Sequence, residues 1–456
     1  ASSFDLLGGA GVDVFDIDVI LTGSIDGEVA GATLQGAQIA DVSLSGSGGT
    51  TGVNGSNVGV SNDFSNITTL TGTGGGTLTG SDNASSWDLD GTPTYTDAAG
   101  ITAFSNFATL QGGSDIDSFN VTLASNFDLQ GGAGVDVFDL GAVLTGSIDG
   151  EVAGATLQGT QITDVSLSGP GGTAGVNGSN AGVSNDFSNI TNLTGTGGGT
   201  LTGSVNASSW DLGGTPTYTD ATGITAFSNF ATLQGGLDID SFNVTLASNF
   251  DLLGGAGVDV FDIAATLTGS IDGEVAGATL QGTQITDVTL TTAGGTTGFN
   301  GSTIDVTAGF SNINSITGSG VGTLTGRDVS SSWDLDGSPT YNDGALTLDI
   351  TGFGTLQGGS DIDTYNVTLA SSFDLLGGAG VDVFDIDAIL TGSINGDAAG
   401  AILQGLQIVD ISITGASAIT GVSGSNLSVT NNFSNINIIT GNGAGILTGA
   451  DAISFW

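Results

Sequence analysis

The sequence predicts an all-β chain wound as a parallel β-solenoid (β-helix), on three observations: a strict long period, a shorter period nested inside it, and the absence of any helical pattern. Trp87, Trp210, Trp333 and Trp456 recur every 123 residues, as do Phe64, Phe187, Phe310 and Phe433, and Phe4, Phe127, Phe250 and Phe373. No insertion or deletion breaks the spacing. Independent globular modules drift in loop length because a surface insertion costs little. Invariant spacing therefore predicts that every residue lies on a stacked path.

The shorter period is read from Phe107-Ala-Thr-Leu110-Gln-Gly-Gly, which returns as Phe127-Asp-Leu129-Gln-Gly-Gly. Leu110 to Leu129 and Phe119 to Phe138 are both offsets of 19, and Trp87-Asp-Leu89 joins the same column. About six coils of about 20 residues then fill one long unit, each made of short strands joined by glycine turns. Segments such as Ile39-Ala-Asp-Val42-Ser-Leu44 and Phe119-Asn-Val121-Thr-Leu123 alternate apolar and polar residues between Gly, Asn, Asp and Ser, as half-buried strands do. Glycine fills 82 of the 456 positions, too many for a helix to persist.

The repeats run 1–123, 124–246, 247–369 and, incompletely, 370–456. Stacked in register they predict one continuous rod of roughly 22 coils, about 105 Å long at about 4.8 Å per coil. Neither end carries a polar cap of the kind that covers an open solenoid core, so the chain is expected to be a window on a longer array.

Composition excludes several functions. The formal charge is −45, with no His, Met or Cys and one basic side chain, Arg327. Such a surface repels phosphate, which excludes nucleic acid and anionic lipid as partners. Divalent cations, cationic polymers or a saline medium are the natural counterparts. No apolar run reaches the roughly 18 residues needed to cross a bilayer, so no membrane insertion is expected. Glutamate occurs only at Glu28, Glu151 and Glu274, and the remaining acid is aspartate, the residue that closes tight turns and ligates hard cations from them.

The most specific local motif is Gly8-Gly9-Ala-Gly11-Val-Asp13-Val-Phe15-Asp16, repeated from Gly131, Gly254 and Gly377. It resembles the GGxGxDxUx nonapeptide of the RTX proteins. That resemblance implies a right-handed parallel β-helix in which calcium sits between stacked turns. A weaker copy, Gly112-Gly113-Ser-Asp115-Ile-Asp117-Ser-Phe119, lies one coil earlier. The implied calcium ligands are Asp117 with Asp136, Asp240 with Asp259, and Asp363 with Asp382, with Asp13 lacking its partner. The competing reading is that these aspartates cap turns through their own backbone and need no metal.

The wider arrangement, carried by Phe104-Ser-Asn-Phe107, Asp117-Ser-Phe119-Asn-Val and Ser85-Ser-Trp87-Asp-Leu89, is similar to the haemagglutinin-like repeat arrays of giant bacterial surface adhesins. It implies secretion, an extracellular or cell-surface location, and a structural fibre, stalk or biofilm-matrix filament whose partners are further repeats of the same chain or like chains. It transfers no catalytic residue. Asp115 and Asp117 form a close carboxylate pair of the kind some β-helical polysaccharide hydrolases use. Without His, Lys or a repeated Arg to orient substrate, and copied in register, the pair reads as structural, so the chain is not expected to be an enzyme. Gly72-Thr-Gly-Gly-Gly76 reads as a turn, and the Asn54, Asn66, Asn83 and Asn120 glycosylation patterns read as polar ladders. The alternative function is a binding module whose repetitive face grips carbohydrate, ice or a host surface.

Overall fold

In a computed structural model, which describes residues 2–46, 49–152, 154–169, 172–221, 223–275, 277–291 and 297–450, the chain is all-β and its strands pair mostly in parallel. Trp456 lies outside the described residues. Among those residues the helical content is one 3₁₀ turn, Glu28–Ala30. Among the described residues no helix is long and apolar enough to cross a membrane. The parallel β-helix expected from the periods is therefore the fold observed. The chain divides into two units, one of residues 1–208 and 215–233, the other of residues 209–214 and 234–456.

In the first unit the column predicted from Trp87 is present. Asp117–Val121 pairs in parallel with Ser85–Leu89 on one side and with Asp136–Leu140 on the other, placing Phe119 on Trp87 and on Phe138. Ala155–Gln158 follows, with Leu157 on Phe138, and then Leu193. All five side chains are at most 1% exposed. The strand Asp117–Val121 alternates buried and half-buried residues, so the period of two seen in the sequence is the alternation between core and surface. Like side chains stack because successive parallel strands repeat the same inward positions. The rings follow suit: Trp87 and Phe119 stack at 5.5 Å and 11°, and Phe119 and Phe138 at 5.0 Å and 17°.

The second unit repeats this plan. Trp333, Tyr365, Phe384, Leu403 and Ile439 form its column through successive parallel pairs. Trp210, placed by contact in this unit, stacks on Phe242, which stacks on Phe261.

The coils are not uniform, which corrects the expectation of about six turns of about 20 residues per repeat. Steps of 19 residues do occur, as from Asp117 to Asp136. They alternate with steps of 32, 34, 36 and 40 residues. The extra length is antiparallel: Val42–Ser45 pairs with Val53–Asn57, and Ser85–Leu89 with Thr94–Thr96, each ribbon folding back before the path resumes. Equivalent ribbons occur at 165–180 in the first unit and at 331–342 and 411–426 in the second.

Close coil spacing explains glycine at particular points. A Cβ on Gly146 would lie 1.9 Å from the Phe127 carbonyl oxygen of the coil beneath. The same approach recurs at Gly269 over Phe250 and at Gly392 over Phe373. Any side chain there would wedge the coils apart.

Candidate metal-binding turns

The paired turns come together as expected. Asp117, Asp136, Asp240, Asp259, Asp363 and Asp382 are all fully buried. The backbone N–H of Asp117 donates to Asp136 Oδ1 at 2.8 Å, and Asp240 to Asp259 and Asp363 to Asp382 do the same at 2.8 Å. Stacked strands place these residues one above the other, and the inward half of the alternation turns their carboxylates away from solvent.

What the carboxylates bind is the protein's own N–H and O–H groups. Asp117 Oδ2 accepts from the Gly113 N–H at 2.7 Å and Oδ1 from the Ser85 hydroxyl. Asp363 repeats this with the Gly359 N–H at 2.8 Å and the Ser331 hydroxyl. The Gly236 N–H donates to Asp240 at 2.7 Å. One oxygen per pair stays uncommitted: Asp136 Oδ2, Asp259 Oδ2 and Asp382 Oδ2 are buried without a hydrogen-bond partner, as is Asp13 Oδ2 in the unpaired first copy.

Burial pushes the Asp136 carboxyl up to about 7, with the charges of Asp117 and Glu151 adding to the rise. Burial also raises Asp382 to about 7, beside Asp363 and Asp397, and Asp259 to about 6, beside Asp240 and Glu274. Asp363 rises to about 6 and Asp117 rises as well, again mainly through burial. Asp136, Asp259, Asp363 and Asp382 therefore take up protons at a higher pH than an ordinary aspartate does.

The resemblance missed a third acid. Glu28, Glu151 and Glu274, with Asp397 in the last repeat, occupy the same position with left-handed backbone, at φ of 52°, 52°, 50° and 51°. In the second unit the Gly255 N–H donates to Glu274 Oε2 at 2.8 Å, and the Gly378 N–H to Asp397 Oδ2 at 3.0 Å. The signal was in the sequence: all three glutamates of the chain stand 123 residues apart.

The two kinds of turn also differ for a backbone reason. Gly132 and Gly134 adopt φ of 94° and 137°, a region that favours glycine. Asp115, which stands at the position of Gly134 in the weaker copy, is not in that region, so a residue with a side chain is tolerated there.

Calcium takes six to eight oxygens at about 2.3–2.6 Å. Among the side-chain oxygens of each stacked pair, one is left without a donor, and any further ligands would have to be backbone carbonyls of the turns. Among the described residues no three acidic side chains converge in a metal-holding group. In this arrangement the carboxylates act as turn caps, held by N–H and O–H donors of their own and the neighbouring coil. Melting curves in millimolar calcium and in EDTA are expected to coincide. A rise in melting temperature with calcium would show that the carboxylates leave their N–H donors for the ion.

The suspected carboxylate pair is separated because Asp115 lies in the bend before the strand Asp117–Val121. Asp115 is exposed and accepts from the Ile116 N–H at 3.0 Å, whereas Asp117 faces the core. Asn66 and Asn120 stand in ladders: Asn66 Nδ2 donates to Asp26 at 2.6 Å, and Asn120 Nδ2 to Asp88 at 2.8 Å. No protein-family model matches the chain, and no curated protein matches it.

Proposed function

We propose that this chain is a structural segment of an extracellular fibre or stalk, of the kind found in long repetitive bacterial surface proteins, and that its work is mechanical. The observation that carries this reading is the column of sealed, ring-stacked coils repeated without a change of register at a 123-residue interval in each unit. Such a plan gains length by adding repeats and needs no separate core for each. The buried carboxylates serve it as turn locks.

Protease resistance supports the same reading. The single basic side chain, Arg327, is paired with Asp343 and is 13% exposed, so trypsin-like enzymes meet no accessible target. The absence of Met and Cys removes the residues most readily oxidised outside the cell.

Immunogold electron microscopy of producing cells, with antibodies raised against one repeat, tests the proposal. Labelled filaments on the surface or in the matrix are expected. Label confined to the cell interior, or to compact particles, would overturn it.

A further inference from the structure

The first and last repeats carry the same groove. In the first unit it has a volume of about 530 Å³ and lies between the coil bearing Leu7 and Ser24–Asp26, the strand beginning at Val60, and the antiparallel ribbon Ser43–Ser45 and Asn54–Ser56. In the second unit a groove of about 480 Å³ is lined by Leu376, Asn395, Thr414, Ser423, Asn431 and Asn432. Each of these stands three repeats, 3 × 123 = 369 residues, after its counterpart in the first groove: Leu7, Asp26, Ser45, Asn54, Asn62 and Asp63. Both volumes fall within the roughly 300–1,000 Å³ of small-molecule clefts.

The substitutions between the two copies reveal what the groove recognises. Asp26 and Asp63 become Asn395 and Asn432, and Asn54 becomes Ser423. No acidic residue lines the second groove and no basic residue lines either one. Charge is therefore dispensable, which argues against a cation in the second copy and an anion in both. Hydrogen-bonding capacity is kept. Among the described residues, the side chains of Ser43, Ser56 and Asp63 in the first groove and of Thr414, Asn431 and Asn432 in the second have no hydrogen-bond partner within the protein. Leu7, 66% exposed, supplies an apolar wall in the first copy, and Leu376 occupies that place in the second.

Neither the ribbon nor the strand bearing Asp26 offers a peptide strand an edge to join. The ribbon backbones are already paired, Ser43 with Ser56 and Leu44 with Gly55, and Asp26 pairs with Ser65 in the coil below. Free hydroxyls and amides facing an apolar wall match a ligand with hydroxyls around its rim and C–H groups on its faces. We propose that the two grooves are binding sites for an uncharged carbohydrate segment, held by Ser43, Ser56, Asn62 and Asp63 in the first and by Thr414, Asn431 and Asn432 in the second.

The site does not depend on the fibre reading, since a short soluble form would bind as well. The test is isothermal titration of the intact chain with neutral hexasaccharides of glucose, mannose, galactose or N-acetylglucosamine, alongside an oligogalacturonate, a chitosan hexamer and a neutral Ser/Gly/Asn peptide. At least one neutral hexasaccharide should bind, at two or more equivalents per chain and with little dependence on salt. The double substitution Ser45→Trp with Thr414→Trp, both at exposed positions, should remove two of those equivalents while leaving the melting temperature unchanged. Should that variant misfold, Ser43→Ala with Ser56→Ala should weaken the first site about tenfold, the scale of one or two lost hydrogen bonds. The proposal is overturned if no neutral hexasaccharide binds, if only the charged oligomers or the peptide bind, or if the tryptophan variant folds and keeps its full stoichiometry.

Discussion

Raising the pH from 5 to 8 should destabilise the fold, by on the order of 2 kcal/mol for each stacked aspartate pair, because every tenfold gain in proton affinity is worth about 1.4 kcal/mol and relaxation of a buried site reduces the full figure. Asp136 and Asp382 are raised to about 7 and Asp259 and Asp363 to about 6, so the folded chain binds these protons more tightly than the unfolded chain. The stabilisation is complete below the ordinary aspartate value near 4 and is lost as pH rises through 6 to 7. The groups opposing ionisation are all acidic: Asp117 and Glu151 around Asp136, Asp240 and Glu274 around Asp259, and Asp363 and Asp397 around Asp382.

Asp26 runs the other way. The Asn66 amide holds its carboxyl below the ordinary range, so its contribution disappears as pH falls below about 4. Maximum stability is therefore expected between about pH 4 and 6. Thermal melts across pH 3 to 9 measure the profile. The triple change Asp136→Asn, Asp259→Asn and Asp382→Asn should flatten its alkaline side, since an amide oxygen still accepts the N–H of Asp117, Asp240 and Asp363. An unchanged alkaline limb would show that these carboxyls do not titrate in the fold.

Trp87→Ala should cost about 3–5 kcal/mol, the range for removing a large buried aromatic. Trp87 is fully buried, stacks on Phe119, and meets Tyr95 edge-on at 4.7 Å, so its removal opens a cavity against three coil segments. Its indole Nε1 has no hydrogen-bond partner. Trp87→Phe therefore removes a buried orphan donor along with some volume, and should cost less than about 2 kcal/mol. Val58→Ala, at a position 82% exposed, should stay within about 0.5 kcal/mol. Hydrogen exchange followed by mass spectrometry reads all three. The loss of protection in Trp87→Ala should centre on 85–89 and 117–121, since stacked coils are stabilised mainly by their neighbours. Uniform loss across the chain would contradict that account.

The columns were legible because a buried position in a parallel stack can hold little but another large apolar residue. Trp87, Phe119 and Phe138 advertise their alignment whatever the path between them does. The path was not legible. Thr94-Tyr95-Thr96 alternates as any half-buried strand does, and a period of two carries no information about strand direction. Nothing in the alternation therefore showed that the 32-residue step from Ser85 to Asp117 contains a ribbon. The same blindness hid the grooves, whose outer walls are ribbons.

The aspartate turns were half legible. Spacing located the pairs, and it was silent on which way each carboxylate faces and on how many of its oxygens the backbone already holds. The third acid escaped notice because Glu28, Glu151 and Glu274 sit outside the glycine motif, and stacking alone brings them beside it.

The step lengths bear on how the chain acquires its structure. Side-chain and backbone partners in the parallel stack lie 19 to 40 residues apart, and none of the described parallel pairings reaches further. Loop closure over such spans is quick, and proteins dominated by near contacts fold fast for their size. A chain released from one end could complete each layer once the next few dozen residues were free, using the finished layer as its template. Layer-by-layer growth of this kind is a consequence of the step lengths alone.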